Sequence, residues 1–263
     1  MRVAVISPEQ MCGKSSLMAV LGAVYSRTQG KDVAIISTGE GIDNLNIIDT
    51  EGFNKDISNA HIFKATLEAS DGKDKTLLYY GAQAGDEHVH VFDLMGNTMG
   101  EEEKAELIVE AVRKLPADLT MVEICGDVSS PLNQEVLKEC HVALCCIDVS
   151  KKHFRLLPTF ISKLPDVLQR NVGYVLTRYN PEIISDKAIK TTTGISVGDI
   201  LRFPYNTVIG KLAMQGNLDK IAYQIVAGDY TCQNLRMPML ECMQYLFDTD
   251  KRKIIRGMDK WSK

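Results

Sequence analysis

Gly13, Lys14 and Ser15 have the residue types that grip a phosphate chain: a glycine amide that can approach an oxyanion, an ammonium group, and a hydroxyl able to ligate magnesium. They close the run Ser7-Pro8-Glu9-Gln10-Met11-Cys12-Gly13-Lys14-Ser15-Ser16, which follows an apolar stretch Arg2-Val3-Ala4-Val5-Ile6 and precedes a helical pattern from Leu17. A phosphate-binding loop needs this strand, loop, helix order, because amides at the helix start hold phosphate oxygens while the lysine reaches the β- and γ-phosphates. The spacing fits G-x-x-x-x-G-K-[ST] except at the first glycine, which is Pro8 and donates no N–H. Lys14, Ser15 and Ser16, with the amides of Met11, Cys12 and Gly13, are the expected phosphate and magnesium contacts. The same run also suits a strand-to-helix turn that holds no nucleotide. Glu9 lies in this loop, and a carboxylate about 4 Å from a triphosphate charge is repelled by roughly 4 kcal/mol at an effective dielectric of 20, so it must turn away or weaken binding.

The elements that must position this loop are legible from apolar runs alternating with helical periodicity. Asp32–Ser37, Leu119–Cys125, His141–Ile147 and Val172–Thr177 read as buried strands, and 15–28, 57–70, 101–114, 132–139 and 154–164 as helices. Thr76–Tyr80 and Val89–Asp93 read as two strands forming an antiparallel edge. Continuous apolar strands separated by helices predict an α/β fold, a mostly parallel twisted sheet with helices on both faces. Ligands in such sheets bind beyond the carboxyl ends of the strands. The candidates there are Gly39 and Glu40, Glu123 with Gly126, Asp148, and Thr177 to Asn180, including Arg178. Glu123 at a strand end, downstream of the loop, is placed to join the magnesium shell, and Gly126 to offer an amide to a γ-phosphate. It reads equally as a plain strand-terminal polar residue.

The opening loop, Gly41-Ile42-Asp43-Asn44-Leu45, Glu123-x-x-Gly126 and above all Leu176-Thr177-Arg178-Tyr179-Asn180-Pro181 resemble the MinD/ParA group of deviant phosphate-loop ATPases over nearly the whole chain. The resemblance implies ATP or ADP with magnesium as cofactors, a face-to-face homodimer, and an adenine contact at Asn180. It also exposes departures. Glu9 stands where the family has a lysine that reaches across the dimer, Gly39 where it has a catalytic aspartate, with Glu40 one position on, and Glu123 where it has a strand-end aspartate. The resemblance therefore implies catalytic roles for Lys14, Glu123 and, as a substitute, Glu40, with slow or no hydrolysis. Atypical loops of this kind are similar to those of TadZ, the pole-localising factor of tight-adherence pilus assembly. The expected role is to position a cell-surface or secretion machine. An active partition or division-site ATPase and an empty-pocket interaction module stay open beside it.

With 263 residues, 45% of them hydrophobic, the chain can bury one core, expected over 1–250. The net charge of −4 argues against nucleic acid as a partner. The start leads straight into a strand, and no apolar run reaches membrane-spanning length, so a cytoplasmic location is expected. Seven cysteines, an odd number without a C-x-x-C pair, read as reduced thiols. Residues 251–263 form a basic tail of net charge +5, leaving −9 for the rest. At helical spacing Ile254, Ile255, Met258 and Trp261 share one face and Arg252, Lys253, Arg256 and Lys260 another, which suits either peripheral contact with the inner membrane surface or a packed basic helix.

Overall fold

The computed structural model describes residues 1–10, 12–39, 58–84, 86–94, 99–148, 151–180, 182, 185–193 and 200–247. Met11, Glu40, the 41–45 element, Pro181 and the tail 251–263 lie outside the described residues.

The described strands are β1 (Arg2–Ile6), β2 (Val33–Ser37), β3 (Ala82–Ala84), β4 (Asp86–Phe92), β5 (Leu119–Glu123), β6 (Val142–Ile147), β7 (Val172–Tyr179) and β8 (Ile200–Pro204). They form one sheet in the order β3-β4-β2-β5-β1-β6-β7-β8, parallel throughout except for the β3–β4 pair at one edge. The helices are α1 (Lys14–Gln29), α2 (Ser58–Ala69), α3 (Glu101–Lys114), α4 (Pro131–Glu139), α5 (Lys151–Ile161), α6 (Asp166–Gln169), α7 (Asp186–Thr193), α8 (Thr207–Met214), α9 (Ile221–Ala227) and α10 (Gln233–Phe247).

Side chains alternate between sheet faces along a strand, and both faces here are dry, which is why the strands read as unbroken apolar runs. Val3, Val5, Val33, Ile35, Leu144 and Cys146 join the core under α1, α9 and α10. Ala4, Ile6, Ala34, Ile36, Cys145 and Ile147 join the opposite core under α2, α3, α4 and α5. The methionine-rich α10 is core: Met239, Leu240, Met243 and Leu246 are buried, with Met237 turned outward. Among the described residues no helix is long and apolar enough to cross a membrane.

Two local expectations need correction. Lys75–Tyr80 is a 3-10 helix, not a strand, and the antiparallel partner of β4 is Ala82–Ala84. Asp74 caps that helix by accepting from the Thr76 N–H, and its turns are closed by Leu77 N–H to the Asp74 carbonyl at 3.1 Å and Gly81 N–H to the Leu78 carbonyl at 3.1 Å. The aromatic, β-branched composition imitated a strand. The sequence reading also lacked β8, which pairs in parallel with β7 and supplies one wall of the site.

Candidate nucleotide site

β1 lies between β5 and β6, so its loop opens where the chain's connections diverge to either side of the sheet, the place where open α/β sheets bind ligands. Gly13 caps α1 in the left-handed conformation, with φ +76°, and its carbonyl accepts from the Leu17 N–H at 3.0 Å. Only glycine takes that geometry at little cost. A Cβ built on Gly13 would meet the Thr177 side chain at 3.6 Å, so the loop sits against the end of β7. Thr177 is buried and donates its hydroxyl to the Ile147 carbonyl at 3.2 Å, which ties β7 to β6 beneath the loop.

Three of the sequence candidates converge. Glu123 pairs with Val5 in the β1–β5 register, one residue short of the loop, and Ser15 opens the first turn of α1. Ser15 Oγ donates to the Glu123 carboxylate, 3.0 Å from Oε1 and 2.9 Å from Oε2. Lys14, 8% exposed, places Nζ 3.9 Å from Glu123 Oε1, and Glu123 is 3% exposed. Burial pushes the Glu123 carboxyl above the usual carboxylate range, opposed by the charge of Lys14 and the hydrogen bond from Ser15. A buried ammonium, a hydroxyl and a carboxylate at a helix start fit a phosphate chain and a hard divalent cation. Lys14 would meet the phosphates, and Ser15 with Glu123 would meet the magnesium.

The turn beyond β5 is held by residues that the sequence reading missed. Asn133 on α4, 3% exposed, donates Nδ2 to the carbonyls of Cys125 at 2.7 Å and Asp127 at 2.8 Å. Its Oδ1 accepts from the Thr38 hydroxyl at 2.8 Å, and Thr38 Oγ1 accepts from the Cys125 N–H at 3.0 Å. The Thr38 N–H donates to the Glu123 carbonyl at 3.0 Å. Threonine and asparagine thus lock the ends of β2 and β5 together and fix the turn that carries Gly126, whose φ is +72°. The Ser130-Pro131 start of α4, with Ser130 accepting from the Asn133 N–H, was the visible sequence signal.

Gly39 packs on Cys125 so tightly that a Cβ there would lie 2.8 Å from both Cβ and Sγ of Cys125. Cys12 is buried under the loop, and Ser16 sits half-buried on the first turn of α1. Ser7 Oγ donates to the Glu9 carbonyl at 2.5 Å and accepts from the Glu9 N–H at 3.3 Å, which folds the loop's first turn around Pro8.

Asn180 and Arg178 belong to a neighbouring region. Arg178 takes a left-handed φ of 53° at a bulge in β7 and pairs with Asp148 at 3.8 Å. That kink delivers Tyr179 and Asn180 to a cavity of about 440 Å³ walled also by Arg202, Pro204, Tyr205 and Asn234. Asn180 Oδ1 accepts from the Glu182 N–H at 2.9 Å. Tyr205 is held by its N–H to the Tyr179 carbonyl at 3.0 Å, and buried Asn206 donates to Thr231 and Asn234 while capping α8. This wall depends on β8, whose mixed burial without alternation gave a weak sequence signal.

No protein-family model and no curated protein sequence matches the chain. Solved structures do. The ParA family ATPase from Chlorobium tepidum TLS superposes with a TM-score of 0.63 at 13% identity, covering 99% of this chain and 98% of its own. A chain of the MinC:MinD cell division protein complex from Aquifex aeolicus gives 0.63 at 17% identity, with 92% and 95% covered. The septum site-determining protein MinD complexed with Mg-ADP from Pyrococcus horikoshii OT3 gives 0.55 at 13% identity, with 100% and 96% covered. This chain has the fold of the ParA and MinD ATPases, the phosphate-loop α/β architecture expected from its motifs.

Proposed function

We propose that this protein binds ATP or ADP with magnesium at the β1, β5 and β7 strand ends and acts as a dimerising positional switch that turns nucleotide over slowly or not at all. The observation that carries this reading is the buried contact of Lys14 and Ser15 with Glu123. A charged cluster in a water-poor cleft is costly to maintain without a ligand that uses it. The Pyrococcus protein of the same fold is seen with Mg-ADP, which supports the ligand class. Magnesium supplies charge neutralisation between phosphate oxygens when bound; Lys14 and the loop amides do the gripping, and Asn180 in the neighbouring cavity orients the base.

Two residues support slow turnover. Gly39 places no carboxylate next to the site, and Glu9 cannot stabilise charge developing on a transferred phosphoryl. The finer role we propose, placing a cell-surface or secretion assembly as TadZ-like proteins do, rests on the atypical loop, in which Pro8 and Glu9 depart from the family pattern.

Calorimetry with ATP and ADP in the presence of magnesium tests the reading. Wild type binds, and Lys14→Ala reduces binding at least 100-fold, since the main cationic contact is gone. Equal affinity in both proteins, or none in wild type, overturns it.

A further inference from the structure

On the face of the sheet away from α1, helices α2, α3 and α4 leave a groove of about 670 Å³. Its floor is apolar, built from Leu67, Leu107, Val109 and Leu132. Its rim is acidic: Glu102, Glu106 and Glu110 run along α3, flanked by Glu68 and Glu135. Among the described residues Lys64 is the cation lining it, paired with Glu106 at 3.0 Å, Glu103 at 3.6 Å and Glu68 at 4.0 Å, while Glu110 pairs with Arg113 at 2.6 Å and Lys114 at 3.1 Å and Glu135 with Lys138 at 2.5 Å. The Glu68, Glu106 and Glu135 side chains are nonetheless 58%, 62% and 57% exposed, so their charge still faces solvent. An apolar floor inside an acidic rim suits a basic amphipathic helix.

This chain contains such a segment. Residues 251–263 carry net charge +5, and Arg252, Arg256 and Lys260 follow the same four-residue spacing as Glu102, Glu106 and Glu110. Rows at that spacing each span about 12 Å on a helix and form one ridge. Ile254, Met258 and Trp261 recur at the spacing of an apolar stripe beside it.

We infer that the α2–α3–α4 groove receives the basic C-terminal segment of a second copy of this chain, the arginine and lysine row lying along the glutamate row. The short reach from α10 to Arg252 points to a second copy. α10 ends at Phe247, whose ring stacks on Tyr25 with centroids 4.6 Å apart, in the core on the other side of the sheet from Leu67 and Leu107. Arg252 is five residues further on, at most about 17 Å of extended chain. Helix layers on opposite faces of a sheet stand roughly 20 Å apart, and the chain must also pass around the sheet edge. The contact is head-to-tail, joins different surfaces of the two copies, and does not depend on nucleotide.

The test uses the full chain as an equal mixture of 15N-labelled and unlabelled protein, coupled by a carbodiimide that joins amines to carboxylates at contact distance and mapped by mass spectrometry. Mixed-isotope links from Lys253 or Lys260 to Glu102, Glu106 or Glu110 are expected, falling as salt rises. Read at Glu110, whose carboxylate survives in every variant, the links should fall at least tenfold in Glu102→Arg with Glu106→Arg and in Arg252→Glu with Arg256→Glu, and combining the two reversals should restore them. Glu102 and Glu106 are exposed, so their reversal leaves the fold intact, and circular dichroism checks all the variants. Absence of the links, links confined to one copy, or links indifferent to both reversals overturn the inference. So does sedimentation of the protein with phosphatidylcholine–phosphatidylglycerol vesicles while no links form, which makes a lipid surface the tail's partner instead.

Discussion

Gly39 and Cys125 are in such close contact across the ends of β2 and β5 that no Cβ fits on Gly39: it would stand 2.8 Å from Cys125 Cβ and equally from Sγ. One of those atoms is fixed to the backbone, so rotation of the thiol cannot clear the space. The side-chain space of Gly39, where the sequence resemblance implies a carboxylate, is therefore filled by a neighbour. Gly39→Ala should cost about 1–3 kcal/mol through overpacking, and Gly39→Asp should destabilise as much without speeding hydrolysis. Adding Cys125→Gly to either should recover part of the loss. Thermal unfolding of the four variants checks this, and a neutral Gly39→Ala would contradict it.

A second stability prediction concerns Asn133, whose amide serves two carbonyls and one hydroxyl at once. Asn133→Ala leaves these buried groups unpaired, at about 1–3 kcal/mol each in the worst case. A loss of roughly 2–4 kcal/mol is expected, which for a chain of this size lowers Tm by about 4–16 °C. Magnesium-dependent nucleotide binding should weaken too, because the Gly126 turn is released. Differential scanning calorimetry, with and without nucleotide, separates the two effects: unchanged Tm would deny the network its role.

The difference in how visible these two features were is instructive. Lys14, Ser15 and Glu123 could be found from the chain because each has a motif position, and β1 delivers them to one point through a regular parallel register. The sheet was equally readable, since strands buried on both faces leave long apolar runs. Thr38 and Asn133 could not be found that way: they bond each other across 95 residues of sequence and hold the backbone of Cys125 and Asp127, which carries no residue-type signature. The 3-10 helix at Lys75–Tyr80 misled because Thr, Leu and Tyr suit a strand locally, while the cap from Asp74 and the i→i+3 bonds it starts decide otherwise. β8 escaped because its burial is mixed, with Leu201 and Arg202 only partly covered.

At the N-terminal end of β2, opposite the strand ends that carry the nucleotide site, Asp32 has Lys75 at 2.5 Å and His88 at 3.1 Å. Burial alone would raise its carboxyl, yet the hydrogen bonds and charges of Lys75 and His88 outweigh this and hold it below the usual range. A carboxyl depressed by folding contributes stability above its unfolded pKa and loses it as pH falls through the folded value. Asp32→Asn should therefore lower Tm at neutral pH, by about 2–4 °C if the cluster contributes about 1 kcal/mol. The gap from wild type should close as pH drops below about 4. A gap that is constant from pH 7 to pH 3 would show that Asp32 acts by packing.

The last prediction concerns turnover itself. The first turn of the loop is built by Ser7 bonding both the carbonyl and the N–H of Glu9, so the backbone at this position is fixed whatever side chain it bears. Substitution at Glu9 then changes charge with little change in loop shape. In related ATPases of this fold the equivalent cation is expected to reach a partner's nucleotide, and a cationic finger in phosphoryl transfer is worth roughly 10³–10⁵ in rate. Glu9→Lys should raise single-turnover hydrolysis at saturating ATP by about tenfold or more, the rest of that factor being withheld by the missing carboxylate at Gly39. Glu40 is the remaining acidic candidate one residue on, and Glu40→Ala in the Glu9→Lys background should return the rate to the wild-type level if Glu40 orients the attacking water. Rapid wild-type turnover that neither substitution alters would show that hydrolysis runs through other groups, and would remove the reason for reading this protein as a slow switch.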